Sequence, residues 1–269
     1  MAIPSFVRGR ALTLSGILAL CALAWAYLLI EASGMPEMSG MAEVSEMAGM
    51  ADMAGDAMGS RWTLTEWAYL CVMWSIMMVA MMLPSALPAI LLVERVAESR
   101  RERNASGASV NTTPLFVAGY LASWTTYSVV AATVQWALHG ALLVSDAMAS
   151  ASPVLSGSLL VGAGLFQLTP LKNRCVTHCR SPLSFLMSHW REGAWGAFRM
   201  GVGHGSYCVA CCWALMALLF VLGVMNLIWV TVLAAIVLLE KTLPAGRWVT
   251  GSLGAGLIAW GVVVLLQSA

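Results

Sequence analysis

"CVMWSIMMVAMMLPSALP", residues 71–88, runs for 18 residues without a charged side chain. A helix needs about 20 mainly apolar residues to cross the hydrocarbon core of a bilayer, and this stretch sits inside a longer apolar segment that reads as one helix over 66–93. The rest of the chain repeats the pattern. Of its 269 residues, 60% are apolar and 10% charged, against roughly 25% charged in an ordinary soluble domain. Apolar runs near 11–31, 66–93, 114–138, 153–170, 202–224, 226–240 and 248–267 predict an all-α, polytopic membrane helix bundle with six or seven transmembrane helices. The range comes from the short run at 226–240, which follows Gly223–Asn226 closely and reads either as a span or as a re-entrant element. The expected organisation is an N-terminal membrane helix (1–31), an outer loop (32–62) and a membrane helix bundle (63–269).

Thirteen of the 14 basic residues fall on alternate connections: Arg8 and Arg10; Arg95, Arg100, Arg101 and Arg103; Lys172, Arg174, Arg180, Arg191 and Arg199; Lys241 and Arg247. Arg61 alone lies opposite. The positive-inside rule then predicts a cytoplasmic N-terminus. The first apolar run exceeds the usual 7 to 15 residues of a signal-peptide core, so it reads as a retained helix.

Between residues 34 and 59 the outer loop carries Met35, Met38, Met41, Met47, Met50, Met53 and Met58 among Glu, Asp, Ser, Ala and Gly, with no aromatic residue and no Ile or Leu. So many methionines without larger apolar partners do not read as a packed core. Thioether sulfur is a soft ligand that favours Cu(I), and it carries no proton to lose on binding. The loop therefore reads as a site of copper capture. In the next helix Met73, Met77 and Met81 recur every four residues, which places them along one helical face as a candidate metal relay. Pro84 and Pro88 are expected to kink that helix and free carbonyls for other donors.

Five of the seven cysteines lie between residues 175 and 212. "CVTHC" supplies Cys175, His178 and Cys179; "HGSYCVACCW" supplies His204, Cys208, Cys211 and Cys212. On a helix, His204 and Cys208 are one turn apart, as are Cys208 and Cys212, so imidazole and thiol donors share a face. If the "CVTHC" stretch, read as an inner loop, closes over that face, the combined donors suit copper best and zinc as a second choice. A stable disulfide is disfavoured on the reducing cytosolic side.

The stretches "MMLPSALP", "CVTHCRSPLSF", "GHGSYCVACCWALM", "GVMNLIW" and "EKTLPAG" together resemble a bacterial family of predicted metal-binding integral membrane proteins of unknown function. The resemblance covers roughly residues 65 to 250 and implies a bacterial inner (plasma) membrane location. It implies functional roles for Cys175, His178, Cys179, His204, Cys208, Cys211 and Cys212, with supporting roles for Tyr207 and for the acidic–basic pair Glu240 and Lys241. Ala210 stands where the resemblance implies a glycine, and the outer methionines lie outside it.

Two function classes fit these features. The first is a copper-handling protein that binds, transports or delivers Cu(I), with the bilayer as its environment and a metallochaperone or cuproprotein as its partner, alone or within a homo- or hetero-oligomer. The second is a copper-dependent membrane oxidoreductase or oxygenase acting on a lipophilic substrate. The sequence contains no nucleotide-binding glycine loop and no basic patch for nucleic acid.

Overall fold

The structure, a computed structural model, describes residues 5–34, 63–103, 111–140, 152–243 and 246–268, which are helical with no strand among them. In chain order the helices are α1 (Ser5–Gly34), α2 (Leu64–Glu102), α3 (Thr112–Gly140), α4 (Pro153–Gln167), α5 (Pro170–Arg180), α6 (Pro182–His189), α7 (Gly193–Ala217), α8 (Leu219–Leu222), α9 (Leu227–Thr242) and α10 (Gly246–Gln267). The seven outer-loop methionines, Met35 to Met58, lie outside the described residues.

Every apolar run of the sequence becomes a helix, yet fewer of them have the length to span a bilayer. Five segments are long and apolar enough to cross a membrane: Gly9–Ser33, Leu64–Glu102, Thr112–Leu138, Gly193–Leu222 and Trp248–Gln267. A sixth arises only if α4 and α5, bent by 64° at their junction, form one broken span. The seventh expected span is corrected here. The 16 residues of α9 reach only about 24 Å at 1.5 Å per residue, short of a core about 30 Å thick.

α2 starts where the sequence signals it. Thr63 is the N-cap, its hydroxyl accepting from the Glu66 backbone N–H while the Glu66 carboxylate accepts from the Thr63 N–H, a reciprocal capping box. The helix runs through Pro84 and Pro88 to Glu102. In that stretch the Met82 carbonyl takes two side-chain donors, the Ser85 hydroxyl at 2.8 Å and the Tyr120 hydroxyl of α3 at 2.9 Å.

α3 and α7 cross in backbone contact. A Cβ on Gly201 would lie 2.0 Å from the Phe116 carbonyl oxygen, and one on Gly119 would lie 2.1 Å from that of Phe198. Only glycine permits this approach, which brings Tyr120 up to the buried face of α7. At one end of the bundle Arg100 of α2 pairs with Glu192 and stands 5.5 Å over the Trp190 ring. Two of the connections expected on the same side of the membrane are thereby brought together.

Candidate metal centre

α7 carries His204, Cys208, Cys211 and Cys212 on its buried face, none more than 3% exposed. The two prolonged turns behave as the spacing requires: the thiols of Cys211 and Cys212 both donate to the Cys208 carbonyl, at 3.1 and 2.9 Å. His204, one turn nearer the N-terminus, sits among the rings of Phe116, Tyr120 and Phe185, with centroids 5.5 to 6.0 Å away.

The "CVTHC" stretch is a helix rather than the expected loop. Thr169 caps α5, its hydroxyl accepting from the Lys172 N–H at 3.3 Å, and Pro170 opens the first turn. Helical spacing then divides the segment. Lys172, Cys175 and Val176 are buried, and half-buried Cys179 follows them on the same face, while Asn173, Arg174, Thr177 and His178 point outward. Cys179 thus reaches α7, its sulfur 4.0 Å from that of Cys211. His178 does not. It is exposed, its Nδ1 lies 3.0 Å from the Arg174 carbonyl, and its ring stacks on half-buried Tyr207 at 4.6 Å. The sequence joined His178 to the thiols because a loop could turn any residue inward; a helix cannot.

Cys208 is the hub. Its sulfur accepts from the Lys241 ammonium of α9 at 2.8 Å and lies 3.2 Å from the Tyr120 hydroxyl of α3. Lys241 also donates to the Ser85 hydroxyl of α2 at 3.1 Å. Three helices therefore meet at one sulfur, α2 joins them through the Lys241 ammonium, and α5 brings Cys179 beside them. Ser85 continues the spacing of the methionine row, four residues beyond Met81. Met73, Met77 and Met81 are buried along α2, so the row descends about 18 Å along the axis to the Lys241–Cys208 contact.

Glu240 pairs with Lys172, not with its sequence neighbour. The Lys172 ammonium, fully buried, donates to one carboxylate oxygen of Glu240 at 2.8 Å. The other oxygen accepts from the Gln167 amide at 3.0 Å and the Thr250 hydroxyl at 3.2 Å. Arg180 donates to the Glu240 and Leu243 carbonyls at the end of α9, meeting acceptors that a helix terminus leaves open. A buried ion pair is tolerated when its remaining groups are hydrogen-bonded, and this one ties α4, α5, α9 and α10 together. Its effect on the centre is positional: Arg180 adjoins Cys179, and Glu240 adjoins Lys241. The sequence did not reveal Ser85, Tyr120 or Lys172 as parts of the site. The four-residue spacing was a signal that could have found Ser85; the others require the tertiary fold.

The thiols are free, and among the described residues no three His, Cys, Asp or Glu side chains form a preformed metal-binding group. The hydrogen bonds explain this. Cys211 and Cys212 are turned back onto a carbonyl through their S–H groups, and a cysteine that ligates as thiolate has lost that proton. Ligation would release the two thiols from the Cys208 carbonyl and free them to rotate. A bundle lined by soft sulfur with a single nearby imidazole matches the ligand preference of Cu(I).

No curated protein and no solved structure matches the chain. A model described as PpoB2: Copper chaperone matches residues 71–264, which takes in α7 and α5 with all their cysteines as well as the methionine row of α2. Over most of its length, then, this chain belongs to the PpoB2 copper chaperone family.

Proposed function

We propose that this protein is an integral membrane copper chaperone that holds Cu(I) between two thiolates drawn from Cys179, Cys208, Cys211 and Cys212 and passes it to a cuproprotein. The observation that carries the reading is the meeting of α5 and α7, with Cys179 and Cys211 sulfurs 4.0 Å apart beside the Cys208 hub. Thiolates are soft donors and bind Cu(I) in preference to hard ions. Family membership supports copper over zinc as the cargo. His204 and Cys175, buried beside the same thiols, are reserve donors in this reading.

Copper enters from the outer methionines, moves along Met73, Met77 and Met81, and is exchanged onto stronger thiolate ligands near the basic end of the bundle. Thioethers bind weakly enough to release their ion, and thiolates bind firmly enough to retain it. A partner with its own sulfur or imidazole donors completes the transfer by ligand exchange, with no change in oxidation state.

The test is to load the purified protein anaerobically with one equivalent of Cu(I) and present it to an apo-cuproprotein. Retention by the wild type, loss of retention in Cys208→Ser/Cys211→Ser, and copper gained by the acceptor support the chaperone reading. Redox turnover of a lipophilic substrate without handover would instead favour the oxidoreductase class.

A further inference from the structure

The groups around Lys241 are the Ser85 hydroxyl of α2, the Tyr120 hydroxyl of α3, the thiols of Cys208, Cys211 and Cys212 and the His204 ring of α7, and the Cys179 thiol of α5. No carboxylate is among them. The adjacent Glu240 is turned about 100° around α9 by helical geometry and is already neutralised by Lys172 at 2.8 Å. The two ion pairs among the described residues are Arg100–Glu192 and Lys172–Glu240. An ammonium inside a helix bundle is costly unless a negative charge stands against it. The partner here is sulfur, at 2.8 Å from Cys208.

We infer that Lys241 is the counter-charge of the copper complex: two thiolates and one Cu(I) ion sum to a single negative charge, which the ammonium beside Cys208 cancels inside the bundle. This inference rests on the copper reading above. Without Lys241 the complex would be a net anion in a medium of low dielectric constant, and its formation would be penalised. With Lys241 present, the loaded site is neutral overall. The second contact, to Ser85 at 3.1 Å, holds the ammonium within reach of the complex while the sulfur turns to the metal. Lys241 is therefore a positioning and charge-balancing residue and not itself a ligand, since a protonated amine has no lone pair to donate.

The experiment compares Lys241→Gln, Lys241→Arg and wild type in detergent, titrating each with Cu(I) against a competing chromogenic chelator, and with Ag(I) as a second soft monovalent probe. Glutamine keeps an N–H donor for Cys208 and Ser85 but removes the charge; arginine keeps the charge. The expected result is an affinity loss of about tenfold or more for both ions in Lys241→Gln, as for a lost hydrogen bond to a charged group, with Lys241→Arg recovering most of it. Thermal unfolding of the metal-free proteins separates this from misfolding, because a purely structural role would lower the melting temperature of Lys241→Gln without changing affinity in the folded fraction. Equal affinities in wild type and Lys241→Gln overturn the counter-charge role. Absence of tight Cu(I) binding by the wild type overturns the copper reading itself.

Discussion

Glu240 and Lys241 are consecutive in the chain and serve two different pairs: Glu240 holds Lys172 at 2.8 Å, and Lys241 holds Cys208 at 2.8 Å. One turn of α9 thus fastens α5 with one residue and meets α7 with the next. The relationship explains how a helix too short to span the membrane still fixes the distance between the two cysteine-bearing helices.

Glu240→Gln is expected to leave Lys172 as an unpaired buried charge and to destabilise the fold by about 3 to 5 kcal/mol. Lys172→Met added to it removes that charge and is expected to recover most of the loss. Chemical denaturation in detergent, read by tryptophan fluorescence, measures both. A double variant no more stable than the single one would mean that the ion pair is not what anchors α5.

Cys179→Ser is expected to weaken Cu(I) binding by about tenfold or more, because it removes a thiolate donor from the α5 side. His178→Ala is expected to stay within about twofold of wild type, because that ring is exposed and stacked on Tyr207. Competition titrations of the two proteins check the contrast directly.

Gly201→Ala places a methyl group 2.0 Å from the Phe116 carbonyl oxygen. The helices must separate, at a cost of about 1 to 3 kcal/mol, and Tyr120 is expected to move away from Cys208. A lowered melting temperature together with weaker copper retention is the predicted pair of effects; stability equal to wild type would contradict the close crossing of α3 and α7.

Met77→Leu/Met81→Leu conserves volume and is expected to change stability by less than about 1.5 kcal/mol. Equilibrium affinity at the cysteines should be unaltered, whereas copper added from the outer side should reach them more slowly. Stopped-flow mixing of Cu(I) with protein in vesicles measures that rate. Deleting residues 35–58 is predicted to slow uptake in the same assay.

The helices long and apolar enough to cross a bilayer were legible in the sequence because burying about 20 residues in hydrocarbon demands an uninterrupted apolar composition. The short α5 was not, because its 11 residues include Lys172, Arg174, His178 and Arg180 and no apolar run betrays it. Its start signal, Thr169 followed by Pro170, was nonetheless present in the chain. Local spacing grouped His204 with Cys208, Cys211 and Cys212 correctly, since residues one turn apart share a face whatever the tertiary fold. It could not say that Cys179 turns inward and His178 outward, because that follows from α5 being helical. Nor could it pair Lys241 with Cys208, which lie on different helices and 33 residues apart. The resemblance joined Glu240 to Lys241 as a pair; their directions around α9 separate them.

X-ray absorption at the copper edge of the anaerobically loaded protein addresses the thiol site most directly. A first shell of sulfur atoms alone, abolished together with bound copper in Cys208→Ser/Cys211→Ser, is the predicted result. A shell dominated by nitrogen and oxygen, or full copper content in the double variant, would contradict it.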